Sequence, residues 1–251
     1  MGIPPELRFF FIHVMKTGGG TFSSHIMENF DGEEVYPSER LDPDIYVARA
    51  EIGYLTALPP ERRARIRVYR GHFPFVAAEL LGEELVTITI LRDPVERTIS
   101  YLKHCKRYKE EHRSLSLEQI YQDPFFFPTE ILNHQAKLFA MTSEDEPESY
   151  LDVIEIDDRR LEIAKANLER VDVLGFQEHF QELVEEMGRR YGWRFGPVGD
   201  RHVGPETGVS GSFRRRIAEE NAADLEFYEH ARALWKRRRA GGRAPDRKAH
   251  L

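Results

Sequence analysis

Short unbroken apolar runs alternate along this chain with stretches in which apolar residues recur every three or four positions, a pattern that predicts strands followed by helices. Phe9-Phe10-Phe11-Ile12, carried past His13 to Val14, reads as a strand over 9–14 covered on both faces. Phe22, Ile26 and Phe30 then lie four apart, on one face of a helix over about 19–30. After a variable connection through Pro43, Ile52, Leu55 and Leu58 place a short helix that stops before Pro59-Pro60. Residues 65–70 alternate charged and apolar and read as a strand. Gly71-His72-Phe73-Pro74-Phe75 interrupts it, and a short helix follows over 76–81. The strongest strand is 85–91. Behind it, Asp93, Pro94 and Glu96 are the signals of a capped helix start. Further helices are expected near 129–140, 161–170, 177–188 and 214–237, with one more strand over 171–176. Strands alternating with helices predict an α/β protein: three layers around a central, mainly parallel sheet.

Composition narrows the setting. The 251 residues, 41% hydrophobic, can bury one sizeable core, so a single domain over 1–251 is expected. Thirty-six Lys and Arg against 43 Asp and Glu give a net charge of −7, which disfavours general nucleic-acid binding. The lone Cys105 excludes an internal disulfide and a multi-cysteine zinc cluster, and fits a reducing compartment. The start MGIPPELRFFFIH lacks the order of a secretion signal, and its apolar stretch falls far short of the roughly 20 residues that span a bilayer. The expectation is a soluble, cytoplasmic protein with no membrane partner. An acidic stretch over 143–158 and a basic one over 232–248 read as solvated features, the last part (about 238–251) as a flexible basic tail. Oligomeric state stays open.

The first candidate for chemistry is Lys16-Thr17-Gly18-Gly19-Gly20-Thr21, set between a strand and a helix. Glycines at such a turn leave N–H groups free to converge on an anion, and the lysine adds a mobile positive charge. In triphosphate-hydrolysing loops the lysine closes the motif as G-x-x-x-x-G-K-S/T; here it opens the loop, which points away from an ordinary triphosphate. The run by itself fits a plain flexible turn equally well. A second candidate is Arg92 with Ser100 two helical turns later, a guanidinium and a hydroxyl suited to one phosphate. That segment also fits a helix start with surface arginines, with Asp93 imitating a magnesium-binding acid. His72, at a strand end, is either a proton acceptor or a histidine satisfied within a hydrogen-bond network.

The residues together resemble the sulfotransferase superfamily, in particular the carbohydrate branch that includes uronosyl 2-O-sulfotransferases and bacterial relatives. His13-Val14-Met15-Lys16-Thr17-Gly18-Gly19-Gly20-Thr21 is similar to its 5′-phosphosulfate loop, and Arg92-Asp93-Pro94-Val95-Glu96-Arg97-Thr98-Ile99-Ser100 to its 3′-phosphate motif. Gly71-His72-Phe73-Pro74-Phe75, Asn133-His134-Gln135-Ala136-Lys137-Leu138 and Gly175-Phe176-Gln177-Glu178-His179-Phe180 resemble further segments, so the likeness runs over roughly 9–235. It implies a P-loop-like fold and transfer of a sulfonate from 3′-phosphoadenosine 5′-phosphosulfate to a hydroxyl on a carbohydrate or small natural product, with no obligate metal. It implies Lys16 at the donor's bridging oxygen and Thr17, Gly18, Gly19, Gly20 and Thr21 as the 5′-phosphate cradle. Arg92 and Ser100 take the 3′-phosphate, and His72 is the general base, ahead of Glu178 and His179. Late-chain Arg214 and Arg216 are expected to reach back over the donor or to lie on a solvated helix face. Met15 departs from the proline frequent in the loop motif. A P-loop kinase or other phosphoryl transferase, and a catalytically silent nucleotide-binding module, are the alternatives.

Overall fold

A computed structural model describes residues 2–42, 44–196 and 208–241. Five strands form one sheet: β1 (Phe9–Ile12), β2 (Val35–Tyr36), β3 (Val68–Gly71), β4 (Val86–Leu91) and β5 (Val173–Phe176), in the order β2-β3-β1-β4-β5. Every pairing is parallel, with Ile12 opposite both Gly71 and Thr89. All strand C-termini therefore open on one edge, where ligands of open parallel sheets bind.

Burial explains the unbroken apolar runs. Phe9, Phe10, Phe11 and Ile12 are all 0% exposed, because alternate side chains enter two different cores. Phe9 and Phe11 meet Phe22 and Ile26 of α1 (Gly19–Asn29) and, farther along the chain, Leu183 and Met187 of a helix over 180–191. Phe10 and Ile12 join the opposite core, built from helices between residues 45 and 240. Burying a side chain such as Phe9 is worth about 1.5–3 kcal/mol, so strand and helix positions are mutually fixed.

The remaining helices are α2 (Ile45–Ala48), α3 (Ile52–Thr56), α4 (Pro60–Arg65), α5 (Phe75–Leu80), α6 (Pro94–Tyr108), α7 (Leu117–Tyr121), α8 (His134–Ala140), α9 (Asp158–Glu169), α10 (Phe180–Tyr191), α11 (Gly211–Glu220) and α12 (Ala222–Ala240). Several depart from the sequence reading. The helix expected to stop before Pro59-Pro60 does so, as α3, but Pro60 then opens an unexpected α4, so Arg65 is helical and β3 begins only at Val68. The continuous helix expected over 129–140 is split: a π-helical turn, Phe127–Ile131, gives way to α8 through Asn133, which takes φ 45. The long helix expected over 214–237 is two helices that break at Asn221.

In the acidic stretch Glu144, Glu146, Glu148, Glu155, Asp157 and Asp158 are exposed, as expected of a solvated feature, and Asp145 is an exception. Asp145 takes two hydrogen bonds from the Arg160 guanidinium, at 2.7 and 2.5 Å, and this pairing pushes its carboxyl down to about 2. Part of the expected flexible tail is also helical, since α12 continues through Ala240; residues 242–251 lie outside the described residues, as does Pro43. No helix among the described residues is long and apolar enough to cross a membrane.

Candidate functional site

The turn after β1 is held from within. Thr17 Oγ1 donates to the Val14 carbonyl at 2.8 Å and is fully buried. Lys16 adopts φ 68, a left-handed conformation that costs a side-chain-bearing residue about 1–3 kcal/mol and is retained only where the surroundings enforce it. Gly18, at φ 98, caps α1 without a side-chain bond, and its carbonyl accepts from the Thr21 and Phe22 amides at 3.1 and 3.2 Å. Gly19 is required for another reason: a Cβ there would sit 2.1 Å from Cδ2 and Nε2 of the His13 ring. Gly20 meets open space. Three glycines that look alike in sequence thus serve a turn, a close approach and an open mouth.

Arg92, just past β4, comes to this loop. Its guanidinium donates to the Lys16 carbonyl at 3.2 Å. Burial, and then each other's charge for Lys16, holds both cations below their ordinary pKa. Neither makes an ion pair among the described residues; Glu96, Asp93 and Glu178 act on Arg92 from longer range. Asp93 is occupied otherwise, accepting from the Glu96 N–H at 3.0 Å as the cap of α6. Ser100 lies two turns down that helix and is partly exposed.

His72 is held at the end of β3. Its N–H donates to the Arg49 carbonyl at 2.7 Å, and Nδ1 lies 2.9 Å from the His13 carbonyl. A carbonyl only accepts, so Nδ1 carries the hydrogen and Nε2 keeps the lone pair. The ring packs between His13, 4.5 Å away, and Tyr150, 5.2 Å away. Burial pushes its pKa down to about 4, with the His13 carbonyl opposing and Arg49 adding to the shift; His13 is lowered too, first by burial and then by His72. Both rings are neutral at pH 7. Between α1 and the turn after β2 lies a cleft of about 420 Å³ lined by Gly20, Ser23, Met27, Ser38, Arg40 and Arg70; neither His13 nor His72 is among its lining residues.

Beneath this edge is a buried polar layer. Arg97 is 0% exposed and donates to the Glu130 and Ile131 carbonyls at 3.0 and 3.2 Å. Lys137 Nζ donates to the Thr129 and Asp152 carbonyls at 2.6 and 2.9 Å, and burial brings it down to about 8. Asp224 accepts from the Gln135 and Ala136 amides at 3.2 and 2.7 Å; burial raises it to about 6, against the pull of Arg97.

The expected site residues thus divide. Lys16, Thr17, Gly18, Gly19, Gly20 and Thr21 form the loop and first turn of α1, Arg92 joins them, and His72 stands beside His13 on the neighbouring strand end. Arg214 reaches α6 and pairs with Glu96 at 2.6 Å, whereas Arg216 pairs with Glu220 on its own helix at 3.0 Å and stacks on Tyr121. Glu178 accepts from the Tyr228 hydroxyl, and His179 bonds Glu182 at 2.9 Å. Sequence reasoning assigned no role to His13, Tyr150, Gln135, Asn221 or Asp224. One signal was available: Asn221 and Asp224 fall four and three residues after Ile217 and Asn221, inside an apolar helical stripe where polar residues need partners.

No protein-family model matches this chain, and no curated protein matches it.

Proposed function

We propose that this chain is a P-loop-like sulfotransferase that moves a sulfonate from 3′-phosphoadenosine 5′-phosphosulfate to a hydroxyl of a carbohydrate or small natural product. One observation supports the reading: Lys16 and Arg92, from separate strand ends, come together without a carboxylate ion pair among the described residues. Two partly desolvated cations side by side repel each other, and a ligand with two anionic groups relieves both. A bisphosphorylated nucleotide has that character.

In this reading the amides of Gly18 to Gly20 and the Thr17-to-Thr21 turn cradle the 5′-phosphate, while Arg92 and Ser100 take the 3′-phosphate. The acceptor enters by the cleft beside Arg70 and turns its hydroxyl to His72. The hydroxyl oxygen attacks sulfur, the sulfur–oxygen bond to the 5′-phosphate breaks, and its electron pair leaves on that phosphate beside Lys16. The hydroxyl proton passes to Nε2 of His72, the nitrogen that the His13 carbonyl leaves free. Donor anions brought nearby raise the basicity of that imidazole from its depressed value.

The test is transfer from radiolabelled donor to a broad acceptor panel. Donor-dependent labelling of sugar or small-molecule hydroxyls is the expected result. Labelling of tyrosine alone would overturn the acceptor class. Magnesium-dependent phosphoryl transfer from ATP, without binding of the phosphosulfate donor, would make the chain a kinase; tight binding of the bisphosphate product with no transfer would make it a binding module.

A further inference from the structure

Arg92 is the one mouth cation whose main chain is gripped by a buried side chain. The Gln135 carboxamide is 0% exposed and pairs with Arg92 as a strand neighbour would: Oε1 accepts from the Arg92 N–H at 3.1 Å and Nε2 donates to the Arg92 carbonyl at 2.8 Å. This matters because β4 ends at Leu91, and its sheet pairing with β5 stops there with Phe176. Past that residue, the two bonds from Gln135 take over from the ladder.

Gln135 is itself fixed from the far end of the chain. Its amide and that of Ala136 donate to Asp224, which caps α8 from α12. Asn133 N–H donates to Asn221 Oδ1 at 2.8 Å, and Asp224 N–H returns a bond to Asn133 Oδ1 at 3.1 Å. The left-handed Asn133 and the break at Asn221, both unexpected in two stretches read as continuous helices, are what allow these four bonds to form.

We infer that Gln135 is the positioning residue for Arg92: docked on the α11–α12 junction, it holds the Arg92 backbone so that the guanidinium is directed at the anion mouth before a ligand arrives. The inference rests on the proposed donor site for its ligand, but its first readout does not. Such preorganisation affects affinity without contact, since an arginine free to swing loses side-chain entropy on binding.

The experiment compares wild type with Gln135→Met, close in shape but without either hydrogen bond, and with Gln135→Glu, which keeps the acceptor for the Arg92 N–H. Hydrogen exchange at the Arg92 amide is read first. Faster exchange by tenfold or more in Gln135→Met, with less change in Gln135→Glu, is expected. Unchanged exchange in Gln135→Met overturns the inference whatever the ligand. If Gln135→Met does not fold, Gln135→Glu, which loses the bond to the Arg92 carbonyl, decides by affinity: 3′-phosphate selectivity at the wild-type value overturns the inference.

Affinity is read second, with 3′-phosphoadenosine 5′-phosphate against adenosine 5′-phosphate. Wild type should prefer the bisphosphate, Gln135→Met should lose about tenfold of that preference, and Gln135→Met combined with Arg92→Ala should lose no more than Arg92→Ala alone. Full selectivity in Gln135→Met, or additive losses, would overturn the positioning role. A wild type without any 3′-phosphate preference would instead refute the donor assignment, and the exchange result would still decide whether Gln135 fixes Arg92.

Discussion

The mouth and the polar layer beneath it are built from similar residues to opposite ends. At the mouth, Lys16 and Arg92 are partly desolvated, repel one another and have only a backbone carbonyl between them. In the layer below, Arg97 and Lys137 are 0% and 1% exposed; carbonyls accept from Arg97 Nη2 and from Lys137 Nζ, Arg97 Nε and Nη1 have no hydrogen-bond partner among the described residues, and Asp224 and Glu130 lie in range with opposite charge. A cation sealed from solvent against carbonyls braces the structure around it; a partly exposed one at a strand end can be reached by a ligand. Under the proposed function, the first region binds and the second supports it.

The largest effect that can break this division is on transfer. His72→Ala should lower the rate about 10²–10⁴-fold while leaving affinity for the bisphosphate product within about twofold, as expected for loss of a general base. Normal transfer at saturating substrates would remove His72 from the chemistry. Lys16→Ala should cost about 10²–10³ in rate, more than in product affinity, because charge develops on the bridging oxygen only in the transition state. Equal losses in rate and product affinity would make Lys16 a plain binding residue.

The layer should answer in stability instead. Asp224→Ala leaves the buried Gln135 and Ala136 amides without their acceptor and should cost about 2–5 kcal/mol in urea denaturation, whereas Lys16→Ala should cost almost nothing. A Lys16 variant as damaging as the Asp224 one would erase the contrast.

The smallest effect is with pH. Burial holds His13, His72 and His134 below their ordinary pKa of 6.5, His72 at about 4, so as pH falls below 6.5 the unfolded chain binds more protons at these groups and stability falls. Asp224, raised to about 6, works the other way: its contribution is full below pH 3.8 and lost as pH rises through 6. Three groups oppose one, so the urea midpoint should drop from pH 6.5 to 4.5, and His134→Asn should flatten that slope. A midpoint that rises on acidification would mean the histidines are not held neutral.

The sequence by itself determined the strands at 9–12, 68–71, 86–91 and 173–176 to within three residues at either end, the first from an unbroken apolar run buried on both faces and the second from charged and apolar residues in alternation. It also located the glycine turn, Arg92 and His72, since each follows such a strand, and a parallel sheet sends all those ends to one edge. Local pattern could not tell Gly18 from Gly19, because one answers to its own φ and the other to the His13 ring. Nor could it break the helices at Asn133 and Asn221, whose reward is a set of bonds spanning 88 to 91 residues of chain. Tertiary structure alone decided which arginine is free and which is sealed: Arg92 and Arg97 sit five residues apart with the same chemistry. The turn over Phe127–Ile131 brings the Glu130 and Ile131 carbonyls to Arg97, whereas Arg92 donates to the Lys16 carbonyl in the loop.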